Sequence, residues 1–459
     1  MSKHHQTDQA GQPGQARRHW LKGTLSSLGA RAAFAAGLAA PAAARAQSGA
    51  SAGLPATLPG PAGGNASNEA YWSEVASLYR LSPEVVNLEN GFYGVLPRPV
   101  LAAYQAHIER LNELNSVYLR GQYGRDSDAI RRRLASAIGA QPGEIALTRG
   151  ATEALQNLIG NYRGLKPGDT VLYSDVDYDS TQAQFDYLQQ QRGVNVARFK
   201  LPEPATHQGI LDAYAKAFAN HPKTRLLLLT HVSHKNGLVL PVAEIIQLAR
   251  ARSIDVIVDA AHSWGQIDFK VGDLGADFMA FNLHKWIGAP LGVGFLYIRQ
   301  ERLSDIAPHL QLAKAGQPDD IRTRVHTGTT NTANVLTIPD ALDFHERIGV
   351  ANKGARLRYL RDLWVREARQ IGRVQVITPD DPRLYTGITA LRLEGRASQA
   401  DNQGLVQRLR ERHGIFTVAR GGLASGYSVR VTPALFTRPA DVERLVQALR
   451  AEARGQGLQ

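Results

Sequence analysis

The sequence predicts an α/β fold: a mostly parallel sheet with helices on both faces, followed by a smaller α+β domain. Three observations predict it. Short apolar runs alternate with amphipathic stretches between residues 144 and 259, as in strands joined by crossover helices. At 459 residues and 43% hydrophobic content, the chain exceeds one average domain and can bury a sizeable core. No Gly-x-Gly-x-x-Gly follows a first strand, which sets aside the nicotinamide-binding form of such a sheet.

In chain order, Arg17-Arg18-His19-Trp20-Leu21-Lys22 comes first, then an alanine-rich apolar stretch to about Ala43, then Ala44-Arg45-Ala46. This is the layout of a twin-arginine export signal over residues 1–46. It implies passage through the twin-arginine translocase and a periplasmic mature protein. A basic tail or an organelle transit peptide is the alternative. Residues 47–67 are rich in Ala, Gly, Pro and Ser and read as a flexible linker. Residues 68–110 form an N-terminal arm, and helical periodicity runs through Arg131–Ile138. Glu144–Thr148 reads as a strand and Thr152–Asn161 as a helix. Thr170–Ser174 (strand) and Ser180–Arg192 (helix) follow, then Leu226–His231 (strand) and Val242–Arg252 (helix). Asp255–Asp259 and the apolar run Phe278–Phe281 complete the strands of a large domain over residues 111–332. A long helical stretch from Ala333 to Ile371 opens the small domain, residues 333–459.

Composition narrows the function. The net charge is +12, of which residues 1–46 carry +5, leaving about +7 spread without a dense basic block. A nucleic-acid footprint would cluster, so no nucleic-acid partner is expected; weak attraction to anionic substrates is. The chain has no cysteine, which excludes disulfides, thiolate metal sites and a cysteine nucleophile. No metal site is expected. No run of about 20 apolar residues occurs in the body, so no membrane span is expected there.

Ligands of parallel sheets bind at the C-terminal strand ends, where Thr148 and Asp259 fall. Asp259 ends an apolar strand, and Lys285 follows the next one in Phe281-Asn282-Leu283-His284-Lys285-Trp286. Pyridoxal phosphate (PLP) needs such a pair: a lysine to hold its aldehyde and a carboxylate to keep its ring nitrogen protonated. Thr148-Arg149-Gly150-Ala151-Thr152-Glu153 joins a strand to a helix. Its Ala151 and Thr152 amides and the Thr152 hydroxyl suit a phosphate at a helix N-terminus, although Thr-x-x-Glu is also an ordinary cap.

The segment Asp259–Gly294, with these motifs in order, resembles the class V aminotransferase family of fold-type I PLP enzymes. Isopenicillin-epimerase-like members are nearest and cysteine desulfurases more distant. The likeness runs from about Asn87 to the C-terminus. It implies a mostly parallel seven-stranded type of sheet. It also implies roles for single residues. Tyr178 stacks on the cofactor. His262 meets its phenolic oxygen or the substrate. Asn282 and His284 hold the phosphate, and Thr329 in Thr327-Gly328-Thr329-Thr330-Asn331 reaches the phosphate of a second subunit in a homodimer. Asn90 in the N-terminal arm and His231 in His231-Val232-Ser233 border the substrate. Arg430 in Ser428-Val429-Arg430 binds the substrate carboxylate, since a guanidinium fork matches it. Lys235 competes with Lys285 for the aldehyde but lacks the strand context.

The substrate is then a small-molecule amine, an amino acid or an amino-acid residue of a peptide. Lys285, Asp259 and His262 are the catalytic set. Transamination, epimerisation and elimination, the last including a carbon–sulfur lyase, stay open. Sulfur uptake by a desulfurase cysteine is excluded. Exported relatives that tailor peptide siderophores such as pyoverdine offer one further reading, and a catalytically silent scaffold of this fold another.

Overall fold

The computed structural model describes residues 66–311 and 319–455. The expected export signal lies outside the described residues, as does the linker up to residue 65.

Helix α1 (Glu69–Ser77) precedes the short strand β1 (Val86–Asn87), α2 (Arg98–Gly121) and α3 (Tyr123–Ile138). The alternating unit follows: β2 (Ile145–Thr148), α4 (Ala151–Gly160), β3 (Thr170–Ser174), α5 (Asp179–Arg192), β4 (Asn195–Phe199), α6 (His207–Asn220), β5 (Thr224–Thr230), α7 (Val242–Arg250) and β6 (Asp255–Asp259). A one-turn α8 (Val271–Leu274), β7 (Phe278–Asn282) and β8 (Gly294–Ile298) complete the large sheet. Its order is β2-β8-β7-β6-β5-β3-β4. Pairs from β4 to β7 are parallel; β8 runs antiparallel to both β7 and β2. Helices cover both faces, so β3, β7 and β8 are buried at every residue and their sequences are largely continuous apolar runs instead of alternating ones. Edge strand β4 mixes exposed with buried positions.

Beyond Asn331 the chain departs from the expected single helical stretch. It forms α9 (Thr332–Leu336), α10 (Ile338–Ile348) and α11 (Val350–Ala368). Pro339 sits in the first turn of α10, where its missing N–H costs nothing. Gly349, at φ 83°, makes the turn into α11.

The small sheet is antiparallel, in the order β12 (Val418–Leu423), β13 (Gly426–Val431), β10 (Thr389–Leu393), β9 (Val374–Val376). Helices α12 (Gln399–His413) and α13 (Pro439–Gly455) and strand β11 (Ile415–Phe416) flank it. Trp364, Leu391, Leu405, Val429, Val431 and Leu445 form its separate core, each fully buried aliphatic chain contributing roughly 1.5–3 kcal/mol. Leu88 from the N-terminal arm joins that core. There β1 pairs parallel with β11, and the Thr432 N–H donates to Leu88 O at 2.7 Å. The arm thus passes between the two sheets. It then lies against the Lys285 segment, where the Gly94 N–H donates to His284 O at 2.9 Å and a Cβ on Gly94 would stand 2.1 Å from Lys285 O.

Candidate active site

The C-terminal ends of β2, β6 and β7 open into a cavity of 440 Å³. Its walls include Gly150, Ala151, Thr152, Tyr178, Asp259, His262, Asn282, His284, Lys285, Arg420 and Arg430. A larger cavity of 690 Å³, between α3, α10 and α11, holds none of the expected site residues. The chemistry therefore belongs to the smaller one.

Asp259 is the last residue of β6, and its register partner Ala280 lies on β7, five residues before Lys285. The two elements bring carboxylate and amine to one end of the sheet. Lys285 Nζ stands 3.0 Å from His262 Nε2, and Trp286 Nε1–H donates to His262 Nδ1 at 3.4 Å. With Nδ1 accepting, a neutral imidazole carries its proton on Nε2, facing the amine. Burial, reinforced by the Lys285 and Arg430 charges, holds His262 well below the usual imidazole range, so it stays neutral. Burial also lowers Lys285 to about 8; Asp259 opposes this and Arg430 adds to it. About half of the lysine is therefore an uncharged nucleophile near pH 8.

The residues fit PLP. The Asp259 carboxyl is buried and pushed up by that burial, against the bond from the Ala261 N–H to Oδ1 at 2.9 Å and the Lys285 charge. A buried carboxylate with one recorded hydrogen bond is costly unless a cation meets it, and a protonated ring nitrogen is such a cation. At the other end, the turn before α4 is shaped by Thr148 Oγ1, which donates to Gly150 O at 2.9 Å. A Cβ on Gly150 would crowd Asn282 Oδ1 at 3.0 Å. His284 Nδ1 is buried without a partner, and burial lowers its imidazole to about 4.

The expected residues divide. Lys285, Asp259, His262, Thr152, Tyr178, Asn282, His284 and Arg430 line the one cavity. Ala151 lines it too, but its N–H already donates to Asn282 Oδ1 at 2.7 Å, so this amide is not open to a phosphate. Three others do not line it. The His231 ring packs edge-on against Phe269 at 5.1 Å. Asn90, in the arm, is tied to the small domain instead, its Nδ2 donating to Thr432 O at 2.9 Å. Thr329 is exposed on the surface. Lys235 is buried elsewhere, its Nζ on Asp179 Oδ1 and on Asp175 O, both at 2.8 Å, and does not compete with Lys285.

Sequence reasoning missed Glu89, Arg420 and Trp286. Arg430 does not present an open fork: its Nε and Nη2 bind the Glu89 carboxylate, and its Nη1 donates to His234 O at 2.8 Å. Arg420 faces the same cavity from β12. A signal existed: β12 and β13 are neighbouring strands, and the register Val418↔Arg430 and Arg420↔Ser428 puts both arginines on one face.

Residues 95–445 match the family model described as aminotransferase class-V. Isopenicillin N epimerase of Streptomyces clavuligerus is 30% identical over 413 residues, which is 83% of this chain and 98% of that protein. A cysteine desulfurase of Serratia proteamaculans is 28% identical over 349 residues, or 72% and 83%. Among solved structures, the cysteine desulfurase CsdA of Escherichia coli matches with a TM-score of 0.71 at 22% identity, covering 84% of this chain and 98% of that one. A C-DES structure with glycine covalently linked to its PLP cofactor matches with a TM-score of 0.69 at 24% identity, covering 80% and 97%.

Proposed function

Because the chain belongs to the aminotransferase class-V family, we propose that it is a PLP-dependent enzyme acting at the α-carbon of an amino acid, free or within a peptide, by transamination or epimerisation. The observation that carries this reading is the Lys285 amine, 3.0 Å from His262 and at the same strand end as the buried Asp259. Bound PLP supplies an electron-withdrawing ring next to the α-carbon. Lys285 would hold the cofactor aldehyde, and its free amine would take or return a proton at the substrate α-carbon. Asp259, buried on the cavity wall, would keep the ring nitrogen charged. His262 orients the amine through Nε2 while Trp286 holds its other nitrogen. Thr152, Asn282 and His284, which line the cavity, would hold the phosphate, and Tyr178 would cover the ring. With no cysteine in the chain, uptake of sulfur as a persulfide is set aside.

The export motif at Arg17-Arg18 supports a periplasmic enzyme exported in its folded state, and a siderophore peptide is a substrate compatible with that compartment. The exposed Thr329 segment supports a homodimer in which it serves the neighbouring site. Replacing both arginines by lysine should leave precursor in the cytoplasm, and cross-linking through position 329 should trap the dimer.

Borohydride reduction of the holoenzyme followed by peptide mapping tests the assignment. The adduct should fall on Lys285; an adduct on any other lysine sinks it. Product analysis by chiral chromatography and mass spectrometry then separates epimerisation, keto-acid formation and elimination.

A further inference from the structure

Behind the Lys285 segment lies a second buried lysine. Lys353 stands near the N-terminus of α11 and is 4% exposed. Gly349, at φ 83°, turns the chain between α10 and α11, so that His345 near the end of α10 meets it. Lys353 Nζ is 2.7 Å from His345 Nδ1 and donates to Trp286 O at 2.5 Å. Burial lowers this lysine to about 7. Burial, with the Lys353 charge added, holds His345 well below the usual imidazole range, so it stays neutral. The helix N-terminus also disfavours a cation. An uncharged amine has two N–H groups, one for each of these acceptors. A lysine kept from water without a paired acid is costly, and an apolar side chain would fill the space at lower cost. What the amine adds is its hold on the Trp286 carbonyl.

That carbonyl belongs to the residue after Lys285, and the indole of the same residue reaches the catalytic centre. Trp286 Nε1–H donates to His262 Nδ1 at 3.4 Å, and His262 Nε2 stands 3.0 Å from Lys285 Nζ. Trp286 is thus held at its backbone by Lys353 and holds His262 with its ring. The next residue of α11 backs the same histidine by another route. A Cβ on Gly354 would stand 2.5 Å from Gln266 O, and Gln266 Nε2 donates to His262 O at 2.6 Å. Proton positions give the effect its direction. With Nδ1 accepting from Trp286, Nε2 carries the imidazole proton and offers it to Lys285, and only an uncharged amine has a lone pair to take it. Without Trp286 the proton can move to Nδ1, and Nε2 then accepts from a charged amine instead.

We infer that Lys353 is a positioning residue of this centre: by holding the Trp286 carbonyl it seats the indole on His262, and so fixes the imidazole nitrogen that meets the Lys285 amine as a donor. This role builds on Lys285 as the cofactor's lysine, the reading proposed above. It adds to that reading a side chain outside the cavity, on a helix that packs into the cores of both domains.

Two measurements on the full chain test it. The first is the pH midpoint of PLP uptake, followed by visible absorption, in Lys353→Met, Trp286→Phe and the double variant. Methionine fills the space of the lysine without its donors. Asp259, Arg430, Arg420 and Glu89, which also act on Lys285, stay in place throughout. Each single variant should move the midpoint up from about 8 by roughly half a unit to one unit, the worth of one hydrogen bond. The double variant should go no further, since both changes cut one chain of contacts. An unmoved midpoint in Lys353→Met overturns the inference, and so does a double variant whose shift is the sum of the two. Should Lys353→Met fail to fold, Trp286→Phe decides: a raised midpoint supports the role and an unmoved one overturns it. The second measurement needs no cofactor. Nitrogen NMR of histidine-labelled chain, with His262→Asn locating the signal, should show the His262 proton on Nε2 in the parent and shared with Nδ1 in Lys353→Met. The same tautomer in both overturns the inference. The two readings fail separately. If the parent takes up no PLP on Lys285, the enzyme assignment falls and the tautomer still decides the role of Lys353. Normal uptake on Lys285 with midpoint and tautomer unmoved spares that assignment and sinks this role.

Discussion

The proton on Lys285 sets how the enzyme captures its cofactor. An ordinary lysine, near 10.4, is about 0.04% neutral at pH 7; one at about 8 is about 10% neutral, a gain of roughly 250-fold in nucleophile. The reactive form is the unprotonated amine. The rate at which apo-protein takes up PLP should therefore rise tenfold per pH unit up to about 8 and level off above it. The contributions can be separated by substitution. Asp259 raises this lysine, so Asp259→Asn should move the midpoint below 8. Arg420 lowers it, so Arg420→Gln should move it up. Stopped-flow absorption between pH 6 and 10, with Lys285→Ala as the blank, reads all three. A rate still climbing through pH 10, or a midpoint that rises in Asp259→Asn, would refute the assignment of causes.

Other consequences follow from single contacts. His231 is buried and held at about 4, below its ordinary 6.5, so the unfolded chain takes up the proton first. The stability is complete above pH 6.5 and falls as pH drops toward 4, by about 3 kcal/mol. His231→Phe, packing on Phe269, should remove that share of the acid sensitivity in urea titrations. Gly94→Ala drives a methyl into Lys285 O and should cost about 1–3 kcal/mol while slowing PLP uptake. Trp286→Phe removes the donor that fixes the His262 tautomer; stability should fall by about 0.5–1.5 kcal/mol and kcat by about tenfold, with Lys285 still carrying the cofactor in peptide maps.

What the sequence disclosed follows from how locally each feature is encoded. Strands Thr170–Ser174 and Asp255–Asp259 are bounded by turn residues and carry apolar runs, so their limits were legible to the residue. Edge strand Asn195–Phe199 was not, because its mixed pattern has no buried run to announce it. Strand Gly294–Ile298 is apolar, but it runs antiparallel in a sheet otherwise joined by crossovers. The division of residues 333–371 was written in Pro339 and Gly349, which the expectation of one long helical stretch left out of account. At the site, Lys285 and Asp259 lie in motifs. The role of Glu89 depends on Arg430, 341 positions away, and no local pattern in the sequence couples them. His231 matches a motif, yet its ring is turned into the core by Phe269, a packing choice invisible in spacing.

The parallel pairing of β1 with β11, and the tie from Leu88 to Thr432, has a consequence for how the molecule is made. Residues near position 88 emerge from the ribosome more than 300 residues ahead of their partners at 415–416 and 432. At about 5–20 residues per second, the arm waits roughly 16–70 seconds for the strand that seats it. Until then the Lys285 segment lacks its cover and Glu89 lacks its arginine. Cofactor capture should therefore wait for synthesis of β11 and β13, and a truncation that removes β13 should yield colourless protein even though Lys285 and Asp259 are both present.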